Sequence, residues 1–195
     1  MIEKLLERKK IAVKTKITIK TLISTALIAA SVILPQLVHL VVGSKGGMLL
    51  LPMYLPVIIG GCILGYKWGI MIGVLSPLAS YLLTLGGGVP MPALTRLPFM
   101  VVELAVFGLI SGLMSSKIAK NPILAFPAVL TTQVVGRLVF ILAVAVFSNY
   151  TVLNVGLVYG QIITGLVGIV VQAILVPLII ILLSKACKIS ETNEK

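Results

Sequence analysis

The chain has 195 residues, of which 59% are apolar, and its mean hydropathy of +1.19 is too high for a soluble domain of this length. Its net charge of +11 would suit a nucleic acid, but the Lys and Arg residues flank apolar runs instead of forming a continuous basic stripe. Length, composition and charge therefore exclude a separate soluble domain, disfavour nucleic-acid binding and favour an integral membrane protein.

The first twenty residues are predicted to form a basic amphipathic leader along the inner leaflet, because seven of them are Lys or Arg. A membrane domain is expected over residues 21–184, followed by a polar cytoplasmic tail over residues 185–195. Six apolar runs are predicted to cross the bilayer as helices, over residues 21–42, 48–64, 70–85, 97–114, 123–147 and 155–183.

The distribution of Lys and Arg residues predicts how the chain is oriented in the membrane. Thirteen of the sixteen Lys and Arg residues fall on one side of the predicted membrane, whereas Lys45 and Arg96 fall on the other and Arg137 lies within a span. Because cytoplasmic loops carry the excess of positive charge, both termini are predicted to be cytoplasmic. The expected fold class is an all-α integral membrane protein, a six-transmembrane-helix bundle.

Two charged residues lie inside apolar runs, Glu103 in the fourth and Arg137 in the fifth. Each is costly in lipid, so both are expected to face the bundle or a wet cavity. At 1.5 Å per residue they lie about 9 and about 15 Å from the outer ends of their helices, which is close enough in depth for a pair. The sequence leaves open whether such a pair only fixes helix register or borders a binding cavity.

Other polar residues within or beside the spans are candidates for a site. Gln133 shares a helical face with Arg137, and Gln161 lies in the sixth run; buried amides of this kind either bridge helices or bind a ligand. Tyr54 is either an interfacial tyrosine or a ligand contact near the outer mouth. Arg96 starts the fourth run, where it is either solvated or attracts an anionic ligand.

Small residues predict close contacts between helices. Ala26 and Ala30 form a small face on the first span, which fits packing within the chain or docking against another membrane protein. Gly60, Gly61, Gly65, Gly69 and Gly73 put small residues along the second and third spans, which allows a close approach of helices there.

The residue inventory argues against an enzyme. The sequence has no Asp, and Glu103 is the one carboxylate within an apolar run, which excludes aspartyl proteolysis and a Ser-His-Asp triad. It has neither an HExxH segment nor a Walker A segment, and the single histidine, His39, cannot build a metal site alone. We therefore expect no catalytic residues, no cofactor and no metal.

Several segments together resemble the substrate-binding S component of energy-coupling factor (ECF) vitamin transporters. The resemblance covers nearly the whole chain after the leader and lies in the AxxxA of Ala26 and Ala30, and in LLLPMYLPVIIGGCILGYKWGIMIGVLSPLASYLL, GGGVPMP, FMVVELAVFGLISGL, VVGRLVF and GLVGIVVQAILVPLII. The motifs are individually loose, and their order makes the combination specific.

The resemblance implies a six-helix bundle in the plasma membrane of a prokaryote that captures a vitamin from outside. Its expected partners are a transmembrane coupling subunit, which Ala26 and Ala30 would meet, and two cytoplasmic ATPase subunits. Ligand-binding positions of the family fall on Tyr54, Met91, Arg96, Glu103, Gln133, Arg137 and Gln161.

The segment LLPM-x-x-PV is most similar to small-vitamin binders that include niacin-type members, which have a histidine where Tyr54 stands here. A tyrosine can still stack on a ring or hydrogen-bond to it. Arg96, Arg137 and Lys45 would suit a ligand that bears a carboxylate. Two other functions remain open: a self-sufficient secondary transporter or channel, and a membrane subunit without a ligand in which Glu103 and Arg137 only hold helices together.

Overall fold

A computed structural model describes residues 12–43, 46–87, 90–147 and 155–193, and within these ranges the chain is helical and has no strand. The helices are α1 (Val13–Val42), α2 (Gly46–Leu50), α3 (Tyr54–Leu64), α4 (Tyr66–Leu85), α5 (Leu97–Leu113), α6 (Ser115–Lys120), α7 (Ala125–Phe147), α8 (Val155–Thr164) and α9 (Leu166–Asn193). A single 3-10 turn, Pro122–Leu124, joins α6 to α7.

Four of the described helical segments are long and apolar enough to cross a membrane: Val13–Val42, Tyr66–Leu85, Pro122–Phe147 and Leu166–Ala186. Two further apolar helices are shorter, Tyr54–Leu64 and Leu97–Leu113. A bilayer core needs about 20 helical residues, so these lengths and compositions fit a multi-pass membrane protein.

The second predicted span is interrupted instead of continuous. α2 ends at Leu50 and α3 begins at Tyr54, and between them Leu51 has a positive φ of 48°. Pro52 supplies no backbone N–H and disfavours the helical conformation of the residue before it, which favours a break at this point. Proline alone does not force the break, because Pro35, Pro77 and Pro177 lie inside continuous helices. The sequence prediction missed this break because both flanks are apolar.

Other boundaries also differ from the prediction. The residues between the fourth and fifth predicted spans, 115–122, form α6 and enter the 3-10 turn, because the buried side chain of Ile118 anchors them to the core. The last predicted span is divided at Gly165 into α8 and α9, and α9 continues to Asn193 through most of the predicted tail. Residues 13–20 of the predicted leader belong to α1, and residues 1–11 lie outside the described ranges.

The closest helix contacts form a glycine seam, which we define as Gly61, Gly69, Gly73, Gly108 and Gly112. A Cβ atom on Gly69 would collide with the backbone of Gly108, and one on Gly73 would collide with the backbone of Leu104. The seam therefore allows α4 and α5 to touch backbone to backbone, and α3 joins them through Gly61 beside Ser111. The predicted close approach is confirmed at Gly61, Gly69 and Gly73. The helix that α4 contacts along the seam is α5, the fourth predicted span.

Candidate functional site

A buried carboxylate lies where three helices meet. Glu103 of α5 is fully buried, and its two oxygens each accept one hydrogen bond from a different helix. Arg137 Nη1 of α7 donates to Glu103 Oε1 at 2.6 Å, and Tyr54 Oη of α3 donates to Glu103 Oε2, also at 2.6 Å. A carboxylate is stable in an apolar bundle when it is paired in this way. The predicted Glu103–Arg137 pair therefore exists, with Tyr54 as a third member.

Aromatic rings pack around this triad of Tyr54, Glu103 and Arg137. Phe107 lies one helical turn after Glu103 in α5, and its ring packs edge to face against the Tyr54 ring at a centroid distance of 5.1 Å. The Arg137 guanidinium carbon lies 4.8 Å from the Tyr54 ring centroid. Any side chain at Gly136 would collide with the Phe107 ring, so the glycine allows this ring to lie against α7. The packing fixes the orientation of the Tyr54 hydroxyl and of the guanidinium.

Two cavities adjoin the triad. The first, of about 270 Å³, is bordered by Glu103, Tyr54, Arg96 and the segment from Pro90 to Ala93. The second, of about 220 Å³, extends toward α1 and is bordered by His39, Ser80 and the interrupted segment of Leu51 to Met53. The cavities share the side chains that separate them, namely Tyr54, Met91, Pro92, Met100 and Gln161. Together they form a mostly apolar cleft with a few polar groups, which is typical of small-molecule sites.

The segment that carries Met91 is held in place by α4. Ser80 Oγ donates to the Met91 carbonyl oxygen at 2.7 Å, and the Met91 N–H donates to Thr84 Oγ1 at 2.8 Å. The Met91–Pro92 peptide bond is cis. The two hydrogen bonds to Ser80 and Thr84 place the Met91 and Pro92 side chains against both cavities, between α4 and the start of α5.

The interrupted helix is held from the opposite side by α9. Gln172 Nε2 donates to the Leu51 carbonyl oxygen at 2.9 Å and to the Leu50 carbonyl oxygen at 3.2 Å. Gly168 leaves room for this contact, because a Cβ atom there would meet the backbone of Leu49 and Leu50. Exposed carbonyls are costly inside a bilayer, so Gln172 satisfies groups that the helix break has freed.

The seven predicted ligand positions divide into two groups. Five of them border the two cavities: Tyr54, Met91, Arg96, Glu103 and Gln161. Arg137 and Gln133 are not among the residues that line these cavities. Arg137 donates to Glu103, and Gln133 Nε2 donates to the Ile169 carbonyl oxygen at 3.1 Å, which joins α7 to α9. Lys45 lies outside the described residues.

Sequence reasoning missed several residues of the cleft. His39, Met53, Met100 and Phe140 line one or both cavities. Met100 could have been found, because it lies on the helical face shared by Arg96 and Glu103. Ser80 and Thr84 gave no signal, since isolated hydroxyls in a span usually bond their own helix.

The two predicted docking residues lie on the least buried spanning helix. Ala26 is exposed and Ala30 is half-buried, and α1 packs against α3 and α4 through other side chains such as Ser24 and Leu27. Among the described residues, no group of three or more His, Cys, Asp or Glu side chains could hold a metal ion.

No protein-family model matches the chain, and neither a curated protein nor a solved structure is significantly similar to it.

Proposed function

We propose that the chain is the membrane-embedded substrate-capture subunit of an ATP-driven importer of the ECF type, and that its ligand is a small vitamin or related micronutrient that bears a carboxylate. The observation that carries the proposal is the cleft bordered by Tyr54, Met91, Arg96, Glu103 and Gln161. The resemblance of the sequence to S components supports it independently.

The size and charge of the cleft support this class of ligand. Cavities of about 270 and 220 Å³ suit a molecule of one or two rings, since pockets for drug-sized ligands have volumes of about 300–1,000 Å³. Arg96 has no ion-pair partner among the described residues and borders the larger cavity, so its guanidinium is available to a ligand carboxylate. The faces of Tyr54, Met91 and Met100 provide an apolar surface for a ring.

The proposed arrangement in the membrane has six crossings, with both termini cytoplasmic in the plasma membrane of a prokaryote. In this scheme α2 and α3 together make the second crossing, and α8 and α9 make the sixth. Both crossings border the cleft, the second through Leu51 to Met53 and the sixth through Gln161. Non-helical backbone at membrane depth is tolerated where it is buried or lines a cavity, and the segment of Leu51 to Met53 meets this condition.

The proposed mechanism has no covalent step. The ligand enters the cleft from outside, its carboxylate binds Arg96, and the Met91 segment, which Ser80 and Thr84 hold, covers it. A transmembrane coupling subunit then reorients the loaded bundle, and two cytoplasmic ATPase subunits supply the energy.

Ligand capture is tested by thermal stabilisation of the purified protein with a panel of vitamins. A carboxylate-bearing vitamin should stabilise the wild-type protein, and Arg96→Gln should abolish the effect without changing the ligand-free melting temperature. The matched control is Lys67→Gln, which removes an exposed cation at the far end of α4 and should leave binding intact. A panel in which no vitamin stabilises the wild-type protein would contradict the proposal.

Partner docking is tested on the exposed small face of α1. Ala26→Trp should block uptake in cells that contain the coupling and ATPase subunits, while the purified variant still binds ligand. Leu37→Trp is the control, because Leu37 is also exposed on α1 but lies about 16 Å further along the helix axis than Ala26. Normal uptake by the Ala26→Trp variant would remove the docking assignment.

The two rival functions make different predictions. Uptake by the chain without ATPase subunits would favour a secondary transporter or channel. One observation favours a purely structural role for part of the polar network, because Gln133 and Gln172 bond backbone carbonyls of neighbouring segments. That alternative predicts that variants of the cleft residues alter stability but never ligand binding.

A further inference from the structure

The polar side chains that line the two cavities differ in whether they already have a partner. The Tyr54 hydroxyl donates to Glu103, which is fully buried and whose other oxygen accepts from Arg137. The Ser80 hydroxyl donates to the Met91 carbonyl oxygen. The hydroxyl protons of Tyr54 and Ser80 are therefore engaged within the protein and the carboxylate is enclosed, so a ligand has to make its polar contacts with other side chains.

Three further side chains of the cavity walls carry a donor that is not engaged: Arg96, Gln161 and His39. Each residue is half-buried, and none of the three side chains has a hydrogen-bond or ion-pair partner among the described residues. Arg96 borders the larger cavity, His39 borders the smaller one, and Gln161 borders both. The groups that a ligand can reach are therefore spread from one cavity to the other.

The two ionisable side chains among these three are both bases. Arginine is always protonated, and an anion that binds beside a histidine favours its protonated form. Glu103 is the one carboxylate among the described residues that border the cavities, and Arg137 neutralises it at 2.6 Å. Each cavity therefore offers one basic side chain within reach of a ligand and no unpaired carboxylate that would repel an anion.

The boundary between the two cavities is adaptable. Among the side chains that the cavities share, Met91 and Met100 are unbranched and have three rotatable bonds each. Such side chains adjust to the shape of a bound molecule, so one elongated ligand can place its ends in different cavities. Gln161 then lies beside the middle of that ligand, because it borders both cavities.

We infer that the ligand is an elongated diacid: one carboxylate binds Arg96 in the larger cavity, and a second carboxylate binds His39 in the smaller cavity. This inference rests on the proposed capture function and narrows its substrate class. It also makes His39 a specificity-determining residue, because a monoacid held by Arg96 makes no ion pair with His39. Selectivity for the diacid then comes from α1, the least buried of the spanning helices.

The direct test compares matched probes on the full-length wild-type protein in detergent, by isothermal titration calorimetry. Terephthalate and naphthalene-2,6-dicarboxylate are diacids of one-ring and two-ring length, and benzoate and 2-naphthoate are their monoacid counterparts. Monomethyl terephthalate keeps the shape of the diacid but has a neutral ester at one end. We expect at least one diacid to bind about tenfold or more tightly than its monoacid, and the ester to bind more weakly than terephthalate, since hydrogen bonds to charged groups are worth that factor. If neither diacid exceeds its monoacid, or if no probe binds, the inference is overturned.

Variants assign the preference to His39. His39→Gln keeps an N–H donor but cannot take up a proton, and His39→Leu removes the donor as well. Both should lose most of the preference for the diacid, while the affinity for the monoacid and the ligand-free melting temperature stay unchanged. Lys67→Gln is the matched control for the loss of a basic side chain outside the cleft and should keep the full preference. A full preference in His39→Leu, or an equal loss of affinity for diacid and monoacid, overturns the assignment.

Failure of this inference is distinguishable from failure of the proposed function. If a vitamin with a single carboxylate stabilises the wild-type protein and His39→Leu equally, and Arg96→Gln abolishes the effect, capture stands and the second anionic contact falls. If no carboxylate-bearing vitamin stabilises the wild-type protein, the capture function itself falls.

Discussion

The two ends of α5 show opposite ways of building a membrane bundle. Its last turns lie in the glycine seam, where Gly108 and Gly112 touch the backbone of the first turns of α4 and leave no space between the helices. Its first turns border two cavities, which Met100 shares, and Glu103 and the preceding residue Arg96 border the larger one. One end is packed without a gap, whereas the other adjoins cavities, and the proposed ligand-binding role requires such space at one end of the bundle.

The largest expected effect comes from breaking the buried pair at the cavity end. Arg137→Gln should destabilise the ligand-free protein by about 3–5 kcal/mol, because it leaves Glu103 buried without a compensating charge. Thermal denaturation in detergent measures the effect. The double variant Glu103→Gln/Arg137→Gln should lose clearly less than the sum of the two single losses, since the residues act as a pair. If the loss of stability in the double variant equals the sum of the two single losses, Glu103 and Arg137 do not stabilise the protein as a pair.

A substitution in the glycine seam tests the packed end. Gly108→Ala should destabilise by about 3 kcal/mol, because its Cβ atom would collide with the backbone of Gly69, which cannot rotate away as a side chain can. Gly86→Ala is the matched control, since a Cβ atom on Gly86 meets no atom within 4 Å. Equal stability of both variants would contradict the assigned seam.

Loss of the hydrogen bonds between the interrupted helix and α9 should have an intermediate effect on stability. Gln172→Leu removes the donor to two carbonyls at the helix break and should cost about 1–2 kcal/mol. The same variant should weaken ligand binding, because the segment that it releases lines the smaller cavity. Thr131→Val serves as the control, as its exposed hydroxyl bonds only its own helix. Unchanged melting temperature and affinity in Gln172→Leu would show that the tie is unimportant.

The smallest effect is expected where α4 holds the Met91 segment. Thr84→Val removes the acceptor of the Met91 N–H and should weaken ligand binding by about tenfold or less, with little change in the stability of the bundle. Titration calorimetry measures the affinity. Thr164→Val is the comparison variant, because the Thr164 hydroxyl bonds Gly160 on its own exposed helix. An equal loss of affinity in both variants would argue against a specific role for Thr84.

Much of the fold follows from the sequence because apolar runs of this length have few alternatives in a bilayer. The Glu103–Arg137 pair could also be predicted, since two isolated opposite charges at similar depth stabilise each other. The role of Tyr54 as the third member of the triad was harder to predict from the sequence, because the position of its side chain depends on the turn before α3. The sequence suggested a tyrosine near the mouth of the bundle, and the structure adds its bond to Glu103.

The remaining features depend on contacts that leave no periodic pattern. The break at Leu51 is favoured by Pro52 and stabilised by Gln172, which is more than a hundred residues away in the chain. The fit of Phe107 against Gly136 is a volume relation between two helices, which composition and spacing do not encode. The division of the seven predicted ligand positions into cavity-lining and helix-bridging residues has the same origin, because Gln133 and Gln161 are equivalent by sequence criteria and differ only in their neighbours.

The central claim is that the cleft holds a small carboxylate ligand through Arg96. Its most direct test is mass spectrometry of the small molecules that co-purify after mild solubilisation, for the wild-type protein, Arg96→Gln and Lys67→Gln. We predict one carboxylate-bearing compound at near-stoichiometric amounts with the wild-type protein and Lys67→Gln, and its absence from Arg96→Gln. Retention of the same compound by Arg96→Gln, or a bound compound without a carboxylate, would contradict the account.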